Sequence, residues 1–157
     1  MSLTSSAGTE VHVDEHAPVM LHGEIEIAAS PDVVWEVLSS IEHWPDWNHD
    51  VKSASLEGEL QPGTSFRWRA GGSSLRSRLI QVAPTREIGW TGTSMGINVV
   101  HVYRLEGHDG KTLVQTDESV AGITTRLFRK PIGRRMDAAI QDALRSLKAE
   151  AERRATA

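Results

Sequence analysis

A chain of 157 residues with no cysteine and a formal net charge of −4 is sized for one domain with a core of its own. The missing cysteine excludes a disulfide framework, thiolate catalysis and cysteine-ligated zinc, and it fits a reducing, cytoplasmic setting. The acidic balance gives no reason to expect nucleic acid, and the sequence carries neither a membrane-spanning run nor the apolar core of a signal peptide.

Residues 1–19 are small, polar and aperiodic and are expected to be a disordered leader ahead of a single domain over 20–154. His12 and His16 have a spacing that ligates metal on a helix, but nothing around them supports a helix, so a solvated tail is expected. Leu21 to Ile27 alternate apolar and polar residues as a half-buried strand does. Ser30-Pro31-Asp32 then starts a helix, with Ser30 as cap and Pro31 at the first helical position, and Val33, Val34, Trp35, Val37 and Leu38 supply its buried face. A second short helical segment holds Ile41 to Asn48, interrupted by Pro45.

Strands follow from about residue 51 to 120, at turn-punctuated antiparallel spacing. Gly71-Gly72 reads as a two-residue hairpin loop, which sets Trp68 opposite Leu75, Phe66 opposite Ser77 and Arg67 opposite Arg76. Arg67, Arg69, Arg76 and Arg78 then share one face; their alternation with apolar residues fits a solvated sheet surface, with an anionic partner as the alternative. Pro84 and Ser94-Met95-Gly96 mark turns on either side of Ile88 and Trp90. Asp109-Gly110 suits a second two-residue loop, pairing Leu105 with Val114, Tyr103 with Thr116, His101 with Glu118 and Val99 with Val120 on one inner face. The other face, with Arg104, Gln115, Asp117 and Ser119, is expected to be wet. After Ala121-Gly122-Ile123 a turn or short helix runs to Lys130, and Pro131 either opens the last helix or kinks a continuous one. That helix carries Ile132, Met136, Ile140, Leu144, Leu147 and Ala151 at helical spacing.

The expected fold is therefore α+β: a curved antiparallel sheet of about seven strands around a long C-terminal helix, with two short helices after the first strand. One helix cannot fill a curved sheet, so a concave apolar cavity is expected between them. Phe66, Trp68, Ser77, Leu79, Ile88, Trp90, Val99 and Thr116 on the sheet, with Met136 and Ile140 on the helix, are the candidate ligand-binding residues. His101 and Glu118 form the one plausible acid–base pair on that face, with Tyr103 as hydrogen-bond donor; the alternative is a cross-sheet pair that specifies register. Trp35, Trp44 and Trp47 read as an aromatic cluster in the core, with a pocket mouth as the alternative. His43, Asp46, His49 and Asp50 are dense but lack matched metal-ligand spacing, so no metal site is expected. No glycine-rich phosphate loop, nucleophile elbow or HExxH motif is present.

The segments Ile25-Glu26-Ile27, Ala29 to Trp35, Trp44 to Asn48, Pro62 to Trp68, Ile88 to Gly92, Gly96 to His101 and Thr116 to Ser119, together with the last helix, give a family resemblance. The chain resembles the START-like (SRPBCC) superfamily and, within it, the polyketide cyclase/dehydrase and lipid-transport-like proteins. The resemblance implies the helix-grip fold over about residues 20 to 152. It leaves function open among carriers, receptors, cyclases and chaperone activators. A Rieske centre does not apply to a chain without cysteine. The expected function is binding of a small hydrophobic molecule (lipid, polyketide or aromatic metabolite) without cofactor. The alternatives are a cofactor-free cyclase or dehydratase using His101 and Glu118, and a protein-interaction module. The expected partner is that ligand, with a homodimer left open and neither nucleic acid nor an integral membrane association.

Overall fold

A computed structural model describes residues 11–157. The elements run β1 (Val19–Ile27), α1 (Pro31–Ser39), a 3-10 turn (Ile41–His43), α2 (Trp44–Trp47), then β2 (Val51–Leu56) and β3 (Ser65–Ala70). They continue through β4 (Ser73–Ala83), β5 (Glu87–Ser94), β6 (Ile97–His108), β7 (Lys111–Ala121), α3 (Ile123–Leu127) and α4 (Arg129–Ala155). The strands make one seven-stranded sheet in the order β1-β7-β6-β5-β4-β3-β2, antiparallel throughout. Each sheet neighbour from β2 to β7 is also a chain neighbour, and β1 closes against β7.

Turn chemistry sets the registers. Gly71 and Gly72 both have positive φ, as do Asp109 and Gly110, so each pair closes a two-residue hairpin of the primed type. Trp68 accordingly pairs with Leu75 and Phe66 with Ser77; His101 pairs with Glu118 and Tyr103 with Thr116. Met95-Gly96 is a third hairpin of the same kind, with φ of 49° and 77° and Ser94 opposite Ile97. A bulge at Ile80 offsets the pairing of β4 with β5, so Leu79 meets Trp90 while Val82 meets Ile88.

Ser30 holds the cap position of α1 but makes no side-chain capping bond; Pro31 supplies the pre-set first helical φ. Pro131 falls in the first turn of α4, where the ring displaces no intrahelical hydrogen bond, so α4 begins beside it instead of kinking. The buried face of α4 is Ile140, Leu144, Leu147 and Ala151, which packs with Val34, Val37 and Leu38 of α1 and with β1. Gly23 permits that contact: a Cβ there would lie 2.8 Å from Leu144 Cδ1.

One expectation for the sheet is corrected. The outer face of β6 and β7 is not uniformly wet, because Val102 and Ser119 on it are buried, as is Glu87 on the neighbouring β5. The chain ahead of β1 covers it, so residues 11–18 are not the free leader expected over 1–19, and Val19 already belongs to β1; residues 1–10 lie outside the described residues. Val11 N–H donates to Glu87 Oε1 (3.4 Å), Arg104 Nη2 donates to Val11 O (2.7 Å), and Asp14 N–H donates to Ser119 Oγ (3.1 Å). Arg104 also pairs with Asp117 (2.8 Å) and Glu87 (3.3 Å), which gives the buried carboxylate the cation that burial demands.

Candidate functional site

The inner face of the sheet and the first half of α4 enclose a cavity of about 330 Å³ that is partly open to solvent. Its floor comes from β4 to β7, with Ser77, Trp90, Val99, His101, Tyr103 and Glu118. Its roof is Ile132, Met136, Ala139, Ile140 and Ala143, one face of α4. Leu38, Trp44 and Trp47 close one end, and Asp50, Gly71, Met95 and Arg135 stand at the rim. The walls are chiefly apolar, as small-molecule sites are.

The aromatic rings interlock. Trp44 meets Phe66 and Trp68 edge to face, with centroids 5.6 and 5.4 Å apart, and Trp90 stacks on Tyr103 at 5.8 Å. His101 lies flat against Tyr103, with centroids 4.7 Å apart. Two indole donors have partners: Trp68 Nε1–H donates to Ser77 Oγ (3.0 Å) and Trp44 Nε1–H to Leu38 O (2.9 Å). Trp47 Nε1 is buried without a partner among the described residues.

The polar cluster sits in the floor. His101 Nδ1 lies 2.8 Å from Glu118 Oε2, and Nε2 lies 2.8 Å from Thr116 Oγ1. Thr116 Oγ1 also lies 3.0 Å from Val102 O, so the hydroxyl bridges the imidazole and the backbone of β6. Both ring nitrogens of His101 thus have partners within the sheet. Tyr103 has its phenol pushed well above its ordinary range, by burial first and by the Glu118 charge second, with Thr116 opposing. It is a donor at any physiological pH.

Of the sequence-derived candidates, Trp68, Ser77, Trp90, Val99, His101, Tyr103, Glu118, Met136 and Ile140 line the cavity. Phe66, Leu79, Ile88 and Thr116 do not; they are fully or almost fully buried beneath it. Alternation put them on the correct face, but that face is filled by Trp44 and the core cluster wherever α4 does not stand off the sheet. Trp44 and Trp47, with core packing and a pocket mouth as alternatives, both pack in the core and close the pocket. Sequence reasoning missed Ala139, Ala143 and the rim. The spacing of Ile132, Met136, Ala139, Ile140 and Ala143 along one helical face was the available signal for the roof.

Other candidates are not brought together. His43 pairs with Asp46 (2.9 Å) on the surface, Asp50 stands at the cavity rim, and no three His, Asp or Glu side chains among the described residues form a metal-binding group. Arg67 and Arg76 pair with Glu57 on the exposed sheet face. No helix among the described residues is long and apolar enough to cross a membrane.

A sheet curved around one long C-terminal helix, with an apolar cavity between them, is the helix-grip fold. More narrowly, the chain belongs to the polyketide cyclase/dehydrase and lipid transport family, whose profile matches residues 18–152. Among solved structures it is similar to a hypothetical protein from Helicobacter pylori, with a TM-score of 0.81 and 16% identity over 96% of this chain and 99% of that one. It is similar to the ZhuI aromatase/cyclase from Streptomyces sp. R1128, with a TM-score of 0.72 and 20% identity over 86% of this chain and 94% of that one. A START superfamily protein from Mycobacterium smegmatis gives 0.65 and 18%, over 87% and 97% of the two chains. At these identities the likeness shows the fold. No curated protein matches the sequence.

Proposed function

We propose that this protein binds a small, largely hydrophobic molecule (a lipid, polyketide or aromatic metabolite) in the cavity under α4, without a cofactor and in a cytoplasmic setting. The observation that carries the reading is an apolar, partly open cavity of about 330 Å³ whose buried polar groups are largely satisfied by one another. Such a site gains affinity from removing apolar surface from water and uses its few polar groups to orient the ligand. Trp68, Trp90, Met136 and Ile140 are the ligand-contacting residues of this reading, with Tyr103 as the orienting donor.

Native mass spectrometry of the purified protein, compared with the same sample after denaturation, tests it. The expected result is a co-purifying small molecule released on denaturation, or saturable quenching of tryptophan fluorescence by apolar probes. No binding across a broad hydrophobic panel overturns it.

A second reading is a cofactor-free cyclase or dehydratase, with His101 as general acid–base, Glu118 orienting it and Tyr103 donating to a developing oxyanion. The buried His101–Glu118 pair favours it. The commitment of both His101 nitrogens weighs the other way, because a general base must present a free nitrogen to substrate. Replacing His101 with Ala distinguishes the two: binding survives in both, and turnover is lost only in the enzymatic one.

A further inference from the structure

Large apolar side chains stand in solvent beside the cavity mouth. Met95 is 91% exposed, Ile123 80%, Leu127 74% and Phe128 56%. Gly122, which caps α3, abuts the β5–β6 turn that carries Met95; a Cβ on Gly122 would lie 2.4 Å from Gly96 O. Thr125 is the one buried residue of α3, so Ile123 and Leu127 have no inner face to occupy. The patch continues into the rim through Met95 and into the roof through Ile132.

The charge carried by the chain from Gly122 to Met136 is of one sign. Arg126, Arg129, Lys130, Arg134 and Arg135 fall in this stretch, and no Asp or Glu occurs between Glu118 and Asp137, in a chain whose formal net charge is −4. None of the five has a carboxylate within salt-bridge distance among the described residues, although most other arginines of the chain are paired. Patches of this kind on a monomer mark an interaction surface.

We propose that the surface made by α3, the first turns of α4 and the β5–β6 turn docks on an anionic lipid bilayer, with the cavity mouth turned towards the lipid. Ile123, Leu127, Phe128 and Met95 enter below the headgroups, while the arginine and lysine stems run along the apolar patch and leave their charges among lipid phosphates. A bilayer fits better than an acidic protein because single protruding apolar side chains interleaved with cations need a partner that is fluid and apolar beneath its charge. Docking is a property of this patch alone; delivery of cargo through the mouth rests on the binding function proposed above.

The test is co-sedimentation of the full chain with phosphatidylcholine vesicles, with and without phosphatidylglycerol, and with poly-glutamate as a soluble acidic control. Expected is binding to the anionic vesicles that falls with salt. It should drop on the order of 10²-fold when Arg126, Arg129 and Lys130 become Gln, and be lost when Leu127 and Phe128 become Ser. Equal sedimentation with neutral and anionic vesicles, or none with either, overturns the proposal. Binding to poly-glutamate that ignores Leu127→Ser and Phe128→Ser overturns it in favour of an acidic protein partner. The same variants are assayed for an apolar probe in the cavity without vesicles. Docking by a wild-type protein that takes no probe supports the surface and overturns the cavity reading instead.

Discussion

The two halves of α4 are one continuous helix with opposite duties. From Ile140 to Ala151 it buries Ile140, Leu144, Leu147 and Ala151 against β1 and α1. From Arg129 to Ala139 it buries nothing fully, stands off the sheet, and roofs the cavity with Ile132, Met136 and Ala139. The packed half has Gly23 beneath it, where the backbone comes close enough to exclude a side chain. The open half faces longer β-strand side chains across empty space. The same helix is thus core at one end and lid at the other, and the distance between helix and sheet decides which.

That contrast can be broken from the packed side first. Leu144→Ala removes a fully buried side chain and should cost about 3 kcal/mol, read from the urea midpoint, because the surrounding core relaxes only in part. Gly23→Ala should cost about 2 kcal/mol by forcing Leu144 and Ile140 off their seats, and it should enlarge the cavity as the helix lifts. On the open side the signs separate. Met136→Ala should leave stability within about 0.5 kcal/mol while weakening an apolar ligand about tenfold, measured by tryptophan quenching.

The smallest effect is electrostatic and belongs to the packed half. Glu150 is held down to about 2, chiefly by the hydrogen bond from Arg153 and then that from Arg154. A depressed carboxylate stabilises the fold above its unfolded value and loses that contribution as pH falls towards 2. Glu150→Gln should therefore cost no more than about 1 kcal/mol at neutral pH and nothing at the acid end, seen as a flatter acid limb in thermal unfolding against pH.

Much of this was legible in the sequence. The two glycine-bearing hairpins set the pairing of Trp68 with Leu75 and of His101 with Glu118, because positive φ is tolerated at so few residue types. Period-two alternation then named the inner face correctly, including Phe66, Leu79, Ile88 and Thr116. It could not say that these four lie in filled core, since every inner residue has the same pattern whether a helix presses on it or stands away. The expectation of a wet outer face fails at Ser119, and at Val102 and Glu87 beside it, for a related reason. The chain that covers them reads as polar and aperiodic, and Arg104 holds it mainly through backbone groups that carry no sequence signal.

The sequence by itself determined the order of elements, the strand registers and which residues face inward, since each rests on local φ preferences and on the pleat of a strand. Only the tertiary structure decided where the inner face is cavity and where it is core, and that Arg126 to Arg135 share one surface with exposed apolar side chains. Those outcomes depend on the separation of α4 from the sheet, on the docking of residues 11–18 and on the seat of Gly122 against Gly96. Each is a balance of side-chain volumes and polar contacts between residues far apart in the chain.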